Sequence, residues 1–99
     1  METVVERGTW LYDGTVPTSI LIVRTDYDFW FGIGEAEGEL DSDERTALNP
    51  DGHLFYVRHK PGWAEGETFW PDSQGFATLA AAIAAAEARV PGPVKWSTV

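Results

Sequence analysis

The chain has no cysteine among its 99 residues, so disulfides, thiolate metal sites and a cysteine nucleophile are all excluded. Small secreted domains commonly lean on disulfides, and their absence points to a reducing compartment, the cytoplasm. Bases are scarce as well: seven Lys and Arg stand against sixteen Asp and Glu, a net charge of −9. A field of that sign repels phosphate backbones and anionic lipid. Nucleic acid and membrane surfaces are therefore not expected as partners, and a basic protein is. Long apolar runs are missing too. Nothing approaches the roughly 20 apolar residues of a membrane span, and the least polar stretch, residues 76–86, is short and mostly alanine. Residues 1–7 carry acids where a signal peptide needs bases, with no apolar segment behind them.

What is present is an ordinary apolar fraction, 43%, with five Trp, five Phe and three Tyr. That composition fits one globular domain spanning 1–99 rather than a disordered chain. Aromatic side chains each bury about 150–250 Å², which lets a short chain build a core it would otherwise lack.

Residues 3–12 read as a first strand, with Gly8 as the expected bulge. Asp13-Gly14 is a hairpin turn signal. The β-branched run at 19–25 reads as a second strand. Residues 26–34 alternate cleanly, with Tyr27, Phe29, Phe31 and Ile33 on one face and Asp26, Asp28, Trp30 and Gly32 on the other. The alternation predicts a third strand. Residues 35–44 hold six acids and no base, the pattern of a solvated loop. A second hairpin is expected from 45–49, the turn Asn49-Pro50-Asp51-Gly52, and 53–60. A long connection at 61–75 contains Trp63, Phe69 and Trp70, with room for a short strand at 68–70. Thr78 caps a helix over 79–90, which Pro91-Gly92-Pro93 stops, and Leu79, Ile83, Ala86 and Val90 form its core stripe. Residues 94–98 add a final strand. The fold class is α+β: a mostly antiparallel sheet of four to six strands with one C-terminal helix on one face, followed by a short final strand.

This arithmetic leaves a face over. One helix covers one side of a sheet, yet the strands are apolar on both: Ile20 and Ile22 oppose Leu21 and Val23, and Leu54 and Tyr56 oppose Phe55 and Val57. A bare face of this kind exceeds the apolar patch normal for a monomer. Three things can cover it: the 61–75 connection, closure into a barrel, or a second protein chain.

Chemistry-bearing constellations are few. His53 and His59 lie six residues apart in one expected strand, about 20 Å, too far to share a metal. Asp26 and Asp28 share a face as a carboxylate pair, which water-facing acids at a tight connection also explain. Asp41-Ser42-Asp43 begins like a calcium loop, but Thr46 and Gly52 stand where that loop needs glycine and glutamate. Gly32-Ile33-Gly34 leads into acids, where a phosphate would be repelled. No serine has a nucleophile-elbow context. No catalytic residue, metal site or cofactor is assigned. The leading expectation is a stand-alone interaction or regulatory module that binds a basic protein, or a second copy of itself as a homodimer, through the apolar sheet face. The alternative is a small-ligand binder or enzyme with a pocket between the sheet and the 61–75 loop. Trp30, Tyr56, Trp63, Trp70, Asp28, His53 and His59 are the candidate binding residues for these two readings.

Overall fold

A computed structural model describes residues 1–41, 43–59 and 68–99. Four strands form one antiparallel sheet: β1 (Glu2–Tyr12), β2 (Val16–Thr25), β3 (Leu54–Arg58) and β4 (Lys95–Thr98), in the order β3-β2-β1-β4. Among the described residues two helices accompany it, α1 (Phe29–Glu37) and α2 (Leu79–Arg89). Among the described residues no helix is long and apolar enough to cross a membrane.

The α+β class and the antiparallel sheet agree with the sequence reading, and four strands is the low end of the expected number. Asp13 and Gly14 both adopt positive φ (54° and 74°), and the Thr15 N–H donates to the Tyr12 carbonyl, as an Asp-Gly hairpin turn requires. Thr78 caps α2 by accepting from the Ala81 N–H at 3.1 Å.

Four expectations are corrected. The first is that α1 takes the place of the strand expected over 26–34, so the described residues hold two helices where one was expected. Asp28 stands in extended backbone and its Oδ1 accepts from the Phe31 N–H at 3.1 Å, an N-cap. At the other end Gly38 takes the left-handed conformation (φ 70°), and the Glu39 N–H reaches back to the Gly34 carbonyl. Leu40 lies against Gly34, where a Cβ would come within 2.7 Å of its Cδ2. Both ends are specified locally, and they override the alternation between them. Residues 35–37 of the acidic stretch are thereby helical.

The second correction concerns the 45–60 hairpin. The turn is there: the Gly52 N–H donates to the Asn49 carbonyl at 2.9 Å, and Gly52 has φ 80°. Among its described residues only 54–58 form a strand, however, and this pairs with β2 from Thr25↔Leu54 to Leu21↔Arg58. The third is that no strand forms at 68–70. An isolated bridge joins Phe55 to Phe76 instead.

The fourth is the bulge in β1, which falls at Val5 between the pairs Val4↔Val23 and Glu6↔Ile22. Gly8 has a different reason to be glycine. A Cβ there would sit 2.7 Å from Val94 Cγ1 and 2.8 Å from the Trp96 ring.

The core is double. On the α2 side Ile20, Ile22, Val57, Ala82 and Ala86 are buried, with Phe55, Phe76, Val94 and Trp96 among the side chains packed against them. On the other side Val4, Leu21, Val23, Leu54, Tyr56 and Phe69 are buried, with Phe29 and Leu48 against them. The face left over by the single-helix argument is thus covered by the chain's own connections: Phe29 at the start of α1, Leu48, and Phe69 from the long connection. By register the same face continues through the polar residues Arg7, Thr9, Ser19, Lys95 and Ser97 to the exposed pair Leu11↔Pro17 near the hairpin turn.

Candidate binding site

The seven residues singled out from the sequence go to different places. Trp63 lies outside the described residues. Asp28, Trp30, Tyr56 and Trp70 come together at the start of α1. His53 and His59 flank β3 at its opposite ends and do not meet.

Asp28 has both carboxylate oxygens engaged, one on the Phe31 N–H and one on the Ala47 N–H at 2.9 Å. It fixes the helix start and the 45–48 segment, and so acts as a structural clamp. Tyr56 is 0% exposed, and its hydroxyl oxygen accepts from the Phe29 N–H at 2.8 Å. Burial raises its pKa above 10.0. Being wholly inside, it supports the site from beneath and cannot touch a partner.

Above Tyr56 the aromatic rings stack edge to face. Phe69 lies 5.8 Å from Tyr56 and 5.7 Å from Phe29. Phe29 contacts Trp30 at 4.9 Å and Trp70 at 5.2 Å, and the two indoles meet at 5.8 Å. Tyr56 and Phe69 are buried and Phe29 is partly buried, but Trp30 is 39% and Trp70 49% exposed. The result is a two-indole corner on a buried aromatic stem.

The corner is held by a short strap. Trp30 Nε1 donates to the Ser73 carbonyl at 2.9 Å. Ser73 Oγ accepts from the Val57 N–H, the Asp72 N–H donates to the Val57 carbonyl, and the His59 N–H donates to Asp72 Oδ2 at 2.7 Å. Arg58 pairs with the same carboxylate at 3.3 Å, while Arg89 Nη1 reaches the Asp72 carbonyl. Residues 72–73 therefore hook onto β3 and carry Trp30 with them. Sequence reasoning missed this strap and also Phe29. The available signal was Asp28 as a helix cap with Gly38 as its terminator.

The chain segment that carries Trp30 is acidic. Residues 26–51 contain nine Asp and Glu and a single base, Arg45. α1 has no basic residue in its last turn, and Glu35 and Glu37 at its end are exposed.

His53 lines a polar cavity of about 110 Å³ with Met1, Thr3, Arg24, Thr25 and Asp26. The Met1 amino group donates to Asp26 Oδ1 and holds that carboxyl below its ordinary value, with a smaller contribution from His53. His53 thus acts on Asp26 only weakly and through space, without a hydrogen bond between them among the described contacts. Among the described residues no three His, Asp or Glu side chains cluster to hold a metal ion.

His59 is half-buried, and its Nε2 is enclosed with no hydrogen-bond partner among the described residues. Burial lowers its pKa below 6.5 and Arg89 lowers it further, against an opposing pull from Asp72. The folded state thus binds a proton less readily than the unfolded one. The stability this contributes is full above pH 6.5 and is lost as pH falls through that value toward the lower folded pKa. Urea titrations between neutral and mildly acidic pH should show this loss, and His59→Gln should flatten that part of the profile. An unchanged profile in the variant would contradict the assignment.

Compared with known protein families, characterised proteins and solved structures, the chain matches none.

Proposed function

We propose that this protein is an interaction module that takes a basic segment of a partner protein on the corner formed by Trp30 and Trp70. One observation carries the reading: two indoles stand 39% and 49% exposed at a fixed 5.8 Å contact, with a backbone hydrogen bond holding one of them. Solvating that much aromatic surface is unfavourable, and evolved monomers rarely leave such rings side by side without use. Their rigidity lowers the ordering cost of binding. The indole face attracts Arg and Lys side chains. The acids of residues 26–51 supply the long-range field that would steer a cation there.

The binding surface in this reading is the edge of the aromatic stem, since the sheet face below it is covered by Phe29, Leu48 and Phe69. Small-ligand binding in a pocket between the sheet and the 61–75 loop has less support. His53 and His59 stand apart, Asp28 is engaged on both oxygens, and residues 61–67 lie outside the described set.

The test is calorimetric titration with an arginine-rich peptide and with the same peptide carrying glutamine at each arginine. The basic peptide should bind in a salt-sensitive way and the neutral one should not. Trp70→Ala, at the more exposed ring, should weaken binding about tenfold, the effect of losing roughly 1.4 kcal/mol. Trp30→Ala should act in the same direction. Equal binding by Trp70→Ala would reduce the interaction to bulk charge and remove this reading.

A further inference from the structure

The hairpin end of the sheet carries a groove that neither core fills. It holds about 230 Å³ and is lined by Thr9, Trp10, Leu11, Pro17, Pro93 and Lys95. Register sets four of these on one face, the one that bears the aromatic stem: Leu11 stands opposite Pro17, and Thr9 opposite Lys95.

The sequence makes the walls stiff. Gly8 lets Val94 and Trp96 close over β1, since a Cβ there would come within 2.7 Å of Val94 Cγ1. That approach holds the 93–95 segment beside the strand, with Pro93 and Lys95 at the groove. The prolines at 17 and 93 have no side-chain freedom to lose, so filling the space between them costs little ordering.

We propose that the groove binds a small free acid, its apolar ring among Leu11 and the two prolines and its carboxylate at Lys95. Size and lining suit such a molecule. A cavity of about 150 Å³ takes a benzene ring, and the rest of this groove admits a short arm ending in a carboxylate. The volume falls below the roughly 300–1,000 Å³ of drug-sized sites, which restricts the occupant to a single ring.

Charge decides the sign of the head group. Lys95 is exposed, and its flexible stem lets the ammonium settle over the mouth. The Arg7↔Ser97 pair follows Thr9↔Lys95 on the same face, and Ser19 stands opposite Thr9 with a further hydroxyl. Facing acids are missing there. Strands β2 and β4 contain none. In β1, Glu6 lies across from Ile22 on the α2 side, and Glu2 stands at the far end, opposite Thr25. Asp13 lines a neighbouring groove and not this one. Nine of the sixteen acids fall in residues 26–51, which leave and rejoin the sheet at the Thr25↔Leu54 pair, the opposite end of β2. An arriving carboxylate therefore meets bases and hydroxyls, although the whole chain carries −9. A cation would meet Lys95 as a like charge.

The probe is phenylacetate, with phenylacetamide as its neutral match and phenethylammonium as the cation, each titrated into the isotope-labelled chain and followed by amide NMR. Phenylacetate should shift the amides of Thr9, Leu11 and Lys95 with a Kd of about 1 mM, as so few atoms allow. Phenylacetamide should bind about fivefold more weakly, and phenethylammonium should leave these amides unmoved. Lys95→Gln should weaken phenylacetate about fivefold, and Leu11→Ser, at a half-exposed side chain, should weaken it without unfolding the chain. The basic-peptide titration reads other residues, so each reading stands or falls by its own probe. Unmoved amides at tens of millimolar phenylacetate would overturn the proposal. So would equal affinity for the acid and its amide, or parental affinity in Lys95→Gln. Tighter binding at the same amides by an acidic peptide ending in phenylalanine would give the groove to a protein partner and overturn it as well.

Discussion

Tyr56→Ala should cost this protein most of its stability. The side chain is fully enclosed among Val4, Leu21, Val23, Leu54 and Phe69, and truncating a buried aromatic to alanine costs about 3–5 kcal/mol. Its hydroxyl also accepts the Phe29 N–H, one of the first amides of α1, and orphaning that donor adds about 1–3 kcal/mol. A chain of this length has roughly 5–15 kcal/mol in total. Urea unfolding followed by circular dichroism should show a midpoint lowered by at least a third, or no cooperative transition at all. Tyr56→Phe isolates the hydroxyl and should lose only the smaller share. A parental midpoint for Tyr56→Ala would mean the ring is not the foundation of the aromatic stem. The same result decides how binding variants are chosen: Tyr56 reports on folding, and Trp70 reports on the surface.

Gly8→Ala should produce the second large effect, from the smallest substitution available. Its new methyl would stand 2.7 Å from Val94 Cγ1 and 2.8 and 2.9 Å from two carbons of Trp96. The indole has little room to retreat, since its Nε1 is hydrogen-bonded to Glu87 on α2 at 3.2 Å. Overpacking of this kind costs about 1–3 kcal/mol. In a domain of this size each kcal/mol shifts the melting temperature by about 4–8 °C, so calorimetry should find a drop well above experimental scatter. The strain falls on β4, which is held to β1 by only four residue pairs, and the Trp96 fluorescence should change with it. A melting temperature equal to the parent's would show that β4 yields without cost.

These two residues also mark what could and could not be read from the sequence. The strong signals were local and they held. Asp13-Gly14 made a hairpin, Thr78 capped a helix, and the β-branched run at 20–23 became the most buried strand. Residues 26–34 misled because their alternation is real but has no neighbouring strand to pair with. Asp28 and Gly38 supply both helix ends, and the Tyr56 hydroxyl fixes the first turn from 27 residues away. The glycine at position 8 was recognisable as special, but its reason depends on Val94 and Trp96, which only the β1–β4 pairing brings over it. The candidate site was half legible. Trp30 and Trp70 stand out by residue type, but the indole corner needs Ser73 and Phe29, whose roles come from the strap and from the helix start. The two-faced apolar pattern correctly announced a second core. It could not say that the chain would supply the cover from its own connections.

The four consecutive buried residues of β2, Ile20 to Val23, point alternately into the two cores. One ribbon of backbone is therefore the party wall of both rooms. A void opened on the helix side is transmitted to the aromatic side through the same few peptide planes, with no intervening layer to absorb it. The two cores cannot melt separately, and a chain this small acquires all-or-none behaviour from that shared strand.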